Sequence, residues 1–147
     1  MQRRSLGSDG ADRLAGLELF AGSTVAERRM LARLVDEIVC DEGETIMREG
    51  SSEYEFIVIE QGTADVTQRG QRINQLDGGA FFGELAVLGD GIPRTATVTA
   101  SSPGRGLVFT AHFMREARER FPAIGERIDA AAKEHREADA RRGAIPG

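Results

Sequence analysis

The chain has 147 residues, 40% of them apolar and 29% charged, with a formal net charge of −5. That length buries one proper core, and the acidic balance disfavours nonspecific attachment to nucleic acid or to an anionic membrane. Cys40 is the sole cysteine, which excludes an intrachain disulfide and a thiolate metal cluster.

Residues 1–10 are polar and contain Gly and Ser, and they predict a disordered tail. Arg3 and Arg4 are not followed by a hydrophobic region, so no secretory leader is expected. No apolar run approaches the roughly 18 residues of a membrane span. The expected address is the cytoplasm. The rest of the chain, 11–147, reads as a single domain.

Leu14 to Val39 is helical in character, with Leu17, Phe20, Val25, Met30, Leu31, Leu34 and Val35 recurring at helical spacing. Ser23 or Thr24 is a candidate cap, with Glu27 as its capping-box partner. Cys40 follows Ile38 and Val39, which predicts a buried or half-buried structural thiol.

From about residue 40 to 110 the texture changes to short strands. Thr45 to Met47 comes first, then Glu53 to Glu60, with Tyr54, Phe56 and Val58 on one face and Ile57 and Ile59 on the other. Gln61-Gly62 turns the chain into Ala64 to Thr67, and Arg69-Gly70-Gln71 reads as a hairpin connection into Arg72 to Leu76. After Phe81-Phe82 and a Gly-rich bend, Arg94 to Ala100 alternates, its threonines facing one way and Ala96, Val98 and Ala100 the other. Leu107 to Phe109 is the last strand. Short strands at near-regular spacing predict a closed all-β body. Ala111 to Arg142 is helical again and divided at Pro122, which suits the first turn of a new helix but not a helix interior.

The most informative stretch is FFGELAVLGDGIPRTATV, Phe81 to Val98. Gly83 lets backbone approach a ligand. Glu84 to Leu88 reads as little more than one helical turn, whose free amides would point at an anion. Arg94 brings a planar fork of donors that matches phosphate oxygens. A carboxylate beside a phosphate site repels it, so Glu84 makes sense as an acceptor for a sugar hydroxyl. The plain alternative is a surface ion pair between Glu84 and Arg94 across a loop, with Gly83, Gly89 and Gly91 as turn residues.

FGELA, a bend and then PRTATV resembles the phosphate-binding cassette of the cyclic-nucleotide-binding domain family, which includes catabolite activators, protein kinase A regulatory subunits and nucleotide-gated channels. The spacing from Glu84 to Arg94 is similar to the catabolite activator type. The resemblance implies a mainly β fold with flanking helices, a small jelly roll with N-terminal helices and two C-terminal helical segments over about 111–142. It implies that Arg94 takes the cyclic phosphate and Glu84 the ribose 2′-hydroxyl, with Gly83, Leu85 and Ala86 lending backbone and Thr95 a hydroxyl near phosphate and base. By the same pattern Val66, Ile73 and Leu76 line the base pocket, with simple core packing as the alternative for each. His135 is a candidate to stack on the base, or else a solvated position on its helix. The last helix, with its stripe Ile124, Ile128, Ala131 and His135, is expected to act as a lid or as a homodimer interface, and both stay open.

The expected function is that of a stand-alone receptor for a cyclic nucleotide, cyclic AMP ahead of cyclic GMP, which changes conformation and regulates a partner protein. A non-signalling interaction module on the same fold is the alternative. No recognition helix follows the last helix, so DNA is not an expected partner. His112 and His135 have no metal-ligand spacing and no nucleophile motif is present, so neither a metal, a further cofactor nor an enzymatic activity is expected.

Overall fold

The structure is a computed structural model that describes residues 1–7, 10–50, 55–82, 96–127 and 129–130. Its strands are β1 Gln2–Ser5, β2 Val35–Cys40, β3 Thr45–Met47, β4 Glu55–Gln61, β5 Ala64–Gln68, β6 Gln71–Leu76, β7 Phe81–Phe82, β8 Thr97–Ala100 and β9 Gly104–Thr110. Its helices are α1 Ala11–Ala15, a 3₁₀ turn Glu18–Phe20, α2 Val25–Ala32 and α3 Ala111–Arg120. The chain is helical again over 122–127.

Two antiparallel sheets face each other, one in the order β1-β2-β9-β4-β7 and the other β3-β8-β5-β6. The fold is the expected β-roll with helices at both ends. The first sheet is covered twice, and its inner strands explain how. Along β4, Phe56 and Val58 join the cluster under the helices, while Ile57 and Ile59 point into the roll interior. A strand buried on both faces reads as an unbroken apolar run, and EFIVIEQ is one. Opposite it, β9 sends Leu107 and Phe109 to the helix side and Val108 to the interior.

The helix-side cluster is organised by rings. Phe56 stacks on Phe109 with centroids 4.7 Å apart, and Phe113 of α3 meets Phe109 edge-on at 5.0 Å. Phe20 touches both Phe109 and Phe113 at 6.1 Å. Helices from the two ends of the chain thus share one aromatic core. The expected capping box is present: Glu27 N donates to Thr24 Oγ1 at 3.1 Å and Thr24 N donates to Glu27 Oε1 at 2.8 Å. Thr110 caps α3 by accepting from Phe113 N.

Where β9 crosses β4, side chains are excluded by close approach. A Cβ on Gly106 would stand 2.6 Å from the Val58 carbonyl oxygen, and one on Gly104 would stand 2.4 Å from that of Gln61. The register shifts here, between Ile59 and Gln61, so that Glu60 is the extra residue of a bulge. Bulges re-aim side chains, and Glu60 reaches Arg13 of α1, Nε to Oε2 at 3.1 Å.

Two expectations are corrected. Helical character stops at Ala32, and Val35 to Cys40 is strand β2, so the roll begins near residue 35. Val35 and Ile38 stand three apart and imitate a helix face, but β2 is buried on both sides, Val35 toward the helices and Ile38 and Cys40 toward the interior. The predicted disordered tail over 1–10 contains β1, paired with β2 from Gln2↔Val39 to Ser5↔Asp36. All four of its residues are exposed. Charge holds it: Arg3 donates to Asp36 at 2.8 Å and to Glu55 at 2.5 and 3.1 Å, and Arg4 pairs with Glu37.

Candidate functional site

The segment singled out by the sequence joins the two sheets. It leaves the first sheet at Phe82, the edge strand beside β4, and enters the second at β8, between β3 and β5. Gly83, Glu84, Leu85, Ala86, Arg94 and Thr95 lie outside the described residues, as does His135. The frame that receives the segment is described. At its start, Phe82 sits opposite Ile57 and is 5% exposed. At its end, Thr97 Oγ1 accepts from Glu49 N at 3.0 Å, and Glu49 Oε1 accepts from Arg69 N at 3.2 Å.

Arg69 and Gly70, with φ of 51° and 80°, make the expected hairpin turn between β5 and β6. A two-residue loop with both φ positive matches the twist of the flanking strands. The hydrogen bonds of Glu49 therefore anchor both the start of β8 and the tip of the β5–β6 hairpin.

Of the three described residues expected at the base pocket, the structure brings two together. Val66 and Leu76 pack against the interior cluster, on the same face as Ala64, whose ladder partner is Leu76. Ile73 does not join them. The register of β5 with β6 shifts between Val66↔Asn74 and Thr67↔Arg72, which leaves Ile73 as the extra residue of a bulge, 43% exposed. Leu76 and Asn74, the ladder partners of Ala64 and Val66, share one face of β6, and Ile73, an odd number of residues from Leu76, falls on the other by simple alternation. Phe82 takes a place in the same cluster as Val66 and Leu76. The sequence carries a signal for it, an aromatic residue directly ahead of Gly83, though its role there is not evident without the pairing to Ile57.

The resulting wall is apolar, built from Val66, Leu76, Phe82 and Val98. Such a surface suits the face of a flat ring and offers no acid or base. Elsewhere, Glu37 is 7% exposed and lies between Arg13 and Arg4. The Arg13 guanidinium first, then that of Arg4, holds its carboxyl below the usual carboxylate range. Cys40 is buried in the interior cluster, and that burial pushes its thiol up. His112 is exposed. Among the described residues no group of three or more His, Cys, Asp or Glu could hold a metal ion, and no helix is long and apolar enough to cross a membrane.

Comparison with known proteins agrees with this architecture. The family profile described as "Cyclic nucleotide-binding domain" matches residues 37–121, a span that runs from within β2 through α3 and includes the whole segment between β7 and β8. The chain belongs to the cyclic nucleotide-binding domain family. A cGMP-dependent protein kinase of Caenorhabditis briggsae is 36% identical over 97 residues, which are 62% of this chain and 13% of the kinase. A cAMP-dependent protein kinase regulatory subunit of Mucor circinelloides is 36% identical over 78 residues, 50% of this chain and 18% of that protein. The chain thus spans less than a fifth of the length of these two relatives. A cyclic nucleotide-binding domain from Methylobacillus flagellatus superposes with a TM-score of 0.73 at 21% identity, covering 95% of this chain and 86% of its own, and shows the shared fold.

Proposed function

We propose that this chain is a receptor domain that binds a cyclic nucleotide, cyclic AMP in preference to cyclic GMP, and regulates a partner protein without catalysing a reaction itself. The observation that carries the reading is the ordered set Gly83, Glu84 and Arg94 within the family match, on the one segment that joins β7 to β8. Arg94 takes the cyclic phosphate, with backbone from Gly83, Leu85 and Ala86. Glu84 accepts from the ribose 2′-hydroxyl, and Thr95 adds a hydroxyl beside phosphate and base. The wall of Val66, Leu76 and Phe82 receives the base.

Coupling to the partner runs through β4. Ile57 contacts the interior on the side of Phe82, while its neighbour Phe56 stacks on Phe109, which meets Phe113 of α3. A ligand that repacks the interior around Phe82 shifts the helix side through this strand, provided it binds the two arrangements with different affinity. The domain is proposed to work in the cytoplasm.

Calorimetric titration of the chain with cyclic AMP and with cyclic GMP tests the reading. Saturable micromolar binding, tighter for cyclic AMP, is the expected result. Absence of binding at millimolar ligand would turn the assignment to an interaction module that reuses the fold.

A further inference from the structure

Opposite the edge where β7 meets the wall of Val66 and Leu76 are the other two edge strands, β1 of the first sheet and β3 of the second. Between them lies a cavity of about 260 Å³. Its floor is branched and apolar, with Ile38 and Ile57 from the first sheet and Ile46 from β3. Its polar lining includes Arg3, Glu55 and Arg48.

These charges are not equivalent. Arg3 covers Glu55 with a two-pronged contact at 2.5 and 3.1 Å and also donates to Asp36. Arg48 is exposed and makes no hydrogen bond or ion pair with the described residues. The cavity therefore presents one uncompensated guanidinium above an apolar floor. A planar fork of this kind matches a carboxylate with two parallel bonds. A doubly charged phosphate suits it less, because the Glu55 carboxylate lines the same space and repels a second negative charge. The volume is below the usual range for drug-sized ligands, which begins near ~300 Å³, so the occupant is small.

We propose that this cavity is a second ligand site, distinct from the cyclic-nucleotide segment, for a small monocarboxylate with an apolar body. The carboxylate lies on Arg48, and an aryl or short branched alkyl group lies against Ile38, Ile46 and Ile57. Nothing in this proposal depends on the assignment of Glu84 or Arg94.

The test is an amide and methyl NMR titration of the full chain with phenylacetate. Benzyl alcohol serves as the control without charge and inorganic phosphate as the control without an apolar body. Saturable shifts at Arg3, Ile46 and Arg48 are expected, with Val66 and Leu76 unmoved. Arg48→Ala should weaken binding about tenfold or more, since charge-assisted bonds are lost, and Arg48→Lys should restore part of it. Arg48 is exposed, so the variant spectrum will itself report an intact fold. Both controls should bind at least about tenfold more weakly than phenylacetate, and saturating cyclic AMP should leave the response in place. The proposal is overturned by shifts that do not saturate or that centre on Leu76 and Phe82. Displacement by cyclic AMP, equal binding of either control, or unchanged affinity in Arg48→Ala would overturn it as well.

Discussion

Arg13 and Glu37 meet across the seam between α1 and the first sheet, Nη1 to Oε2 at 2.5 Å. The same guanidinium reaches the bulge residue Glu60, so one side chain ties α1 to β2 and β4 together. With Glu37 only 7% exposed, removal of Arg13 leaves a buried carboxylate with Arg4 as its remaining partner. Arg13→Ala is expected to cost about 1.5–3 kcal/mol, the range for hydrogen bonds to charged groups. Urea denaturation measures this, and a loss under about 0.5 kcal/mol would place the pair among ordinary surface contacts.

The pH dependence follows from the same pair. The folded Glu37 carboxyl is held below its ordinary value of 4.5, by Arg13 foremost. A depressed folded value means the unfolded state binds the proton more readily. The contribution is therefore present in full above pH 4.5 and is lost as pH falls through the folded value. Denaturation midpoints of the parent should fall more steeply below pH 4.5 than those of Glu37→Gln. Identical slopes would remove Glu37 from the account.

Phe109 is fully buried and touches rings from β4, α3 and the 3₁₀ turn. Phe109→Ala should destabilise the fold by about 3–5 kcal/mol. Chemical denaturation gives the value, and a cost below about 1 kcal/mol would show that the helices do not depend on this core.

Most of the roll can be read in the sequence because β4, β5, β8 and β9 carry apolar residues in recognisable runs or alternation. β2 cannot, because burial on both faces removes the period of two and leaves Val35 and Ile38 at a helix-like spacing. β1 has no apolar residue at all, and its partners Asp36 and Glu55 are far away in sequence. Ile73 and Leu76 are three residues apart and so lie on opposite faces of β6, a separation that the sequence shows only once the strand and its register are known. The cassette is legible for the opposite reason. The chemistry proposed for it asks for a glycine, a carboxylate and an arginine in fixed order, a pattern that burial and strand alternation do not by themselves dictate.

Glu84 is assigned to a sugar hydroxyl because a carboxylate gains nothing beside a phosphate alone. Glu84→Ala should weaken binding of cyclic AMP and flatten its advantage over the 2′-deoxy analogue. Competition binding with both ligands measures the ratio. A variant that discriminates against the deoxy ligand as strongly as the parent would rule out the assignment.

Arg94 carries the central claim. Under the proposed assignment its fork on the phosphate would contribute about 1.5–3 kcal/mol, so Arg94→Ala should weaken cyclic AMP binding by roughly ten- to hundredfold. Arg94→Lys should recover part of this, because an ammonium cannot make the paired contact. The direct measurement is the melting shift with cyclic AMP at about a hundred times the parent's dissociation constant. Binding adds ~2.7 kcal/mol there, a rise of about 5–10 °C for a domain of this size. The account predicts that rise in the parent and a far smaller one in Arg94→Ala at the same ligand concentration. Equal shifts in the two proteins would contradict it.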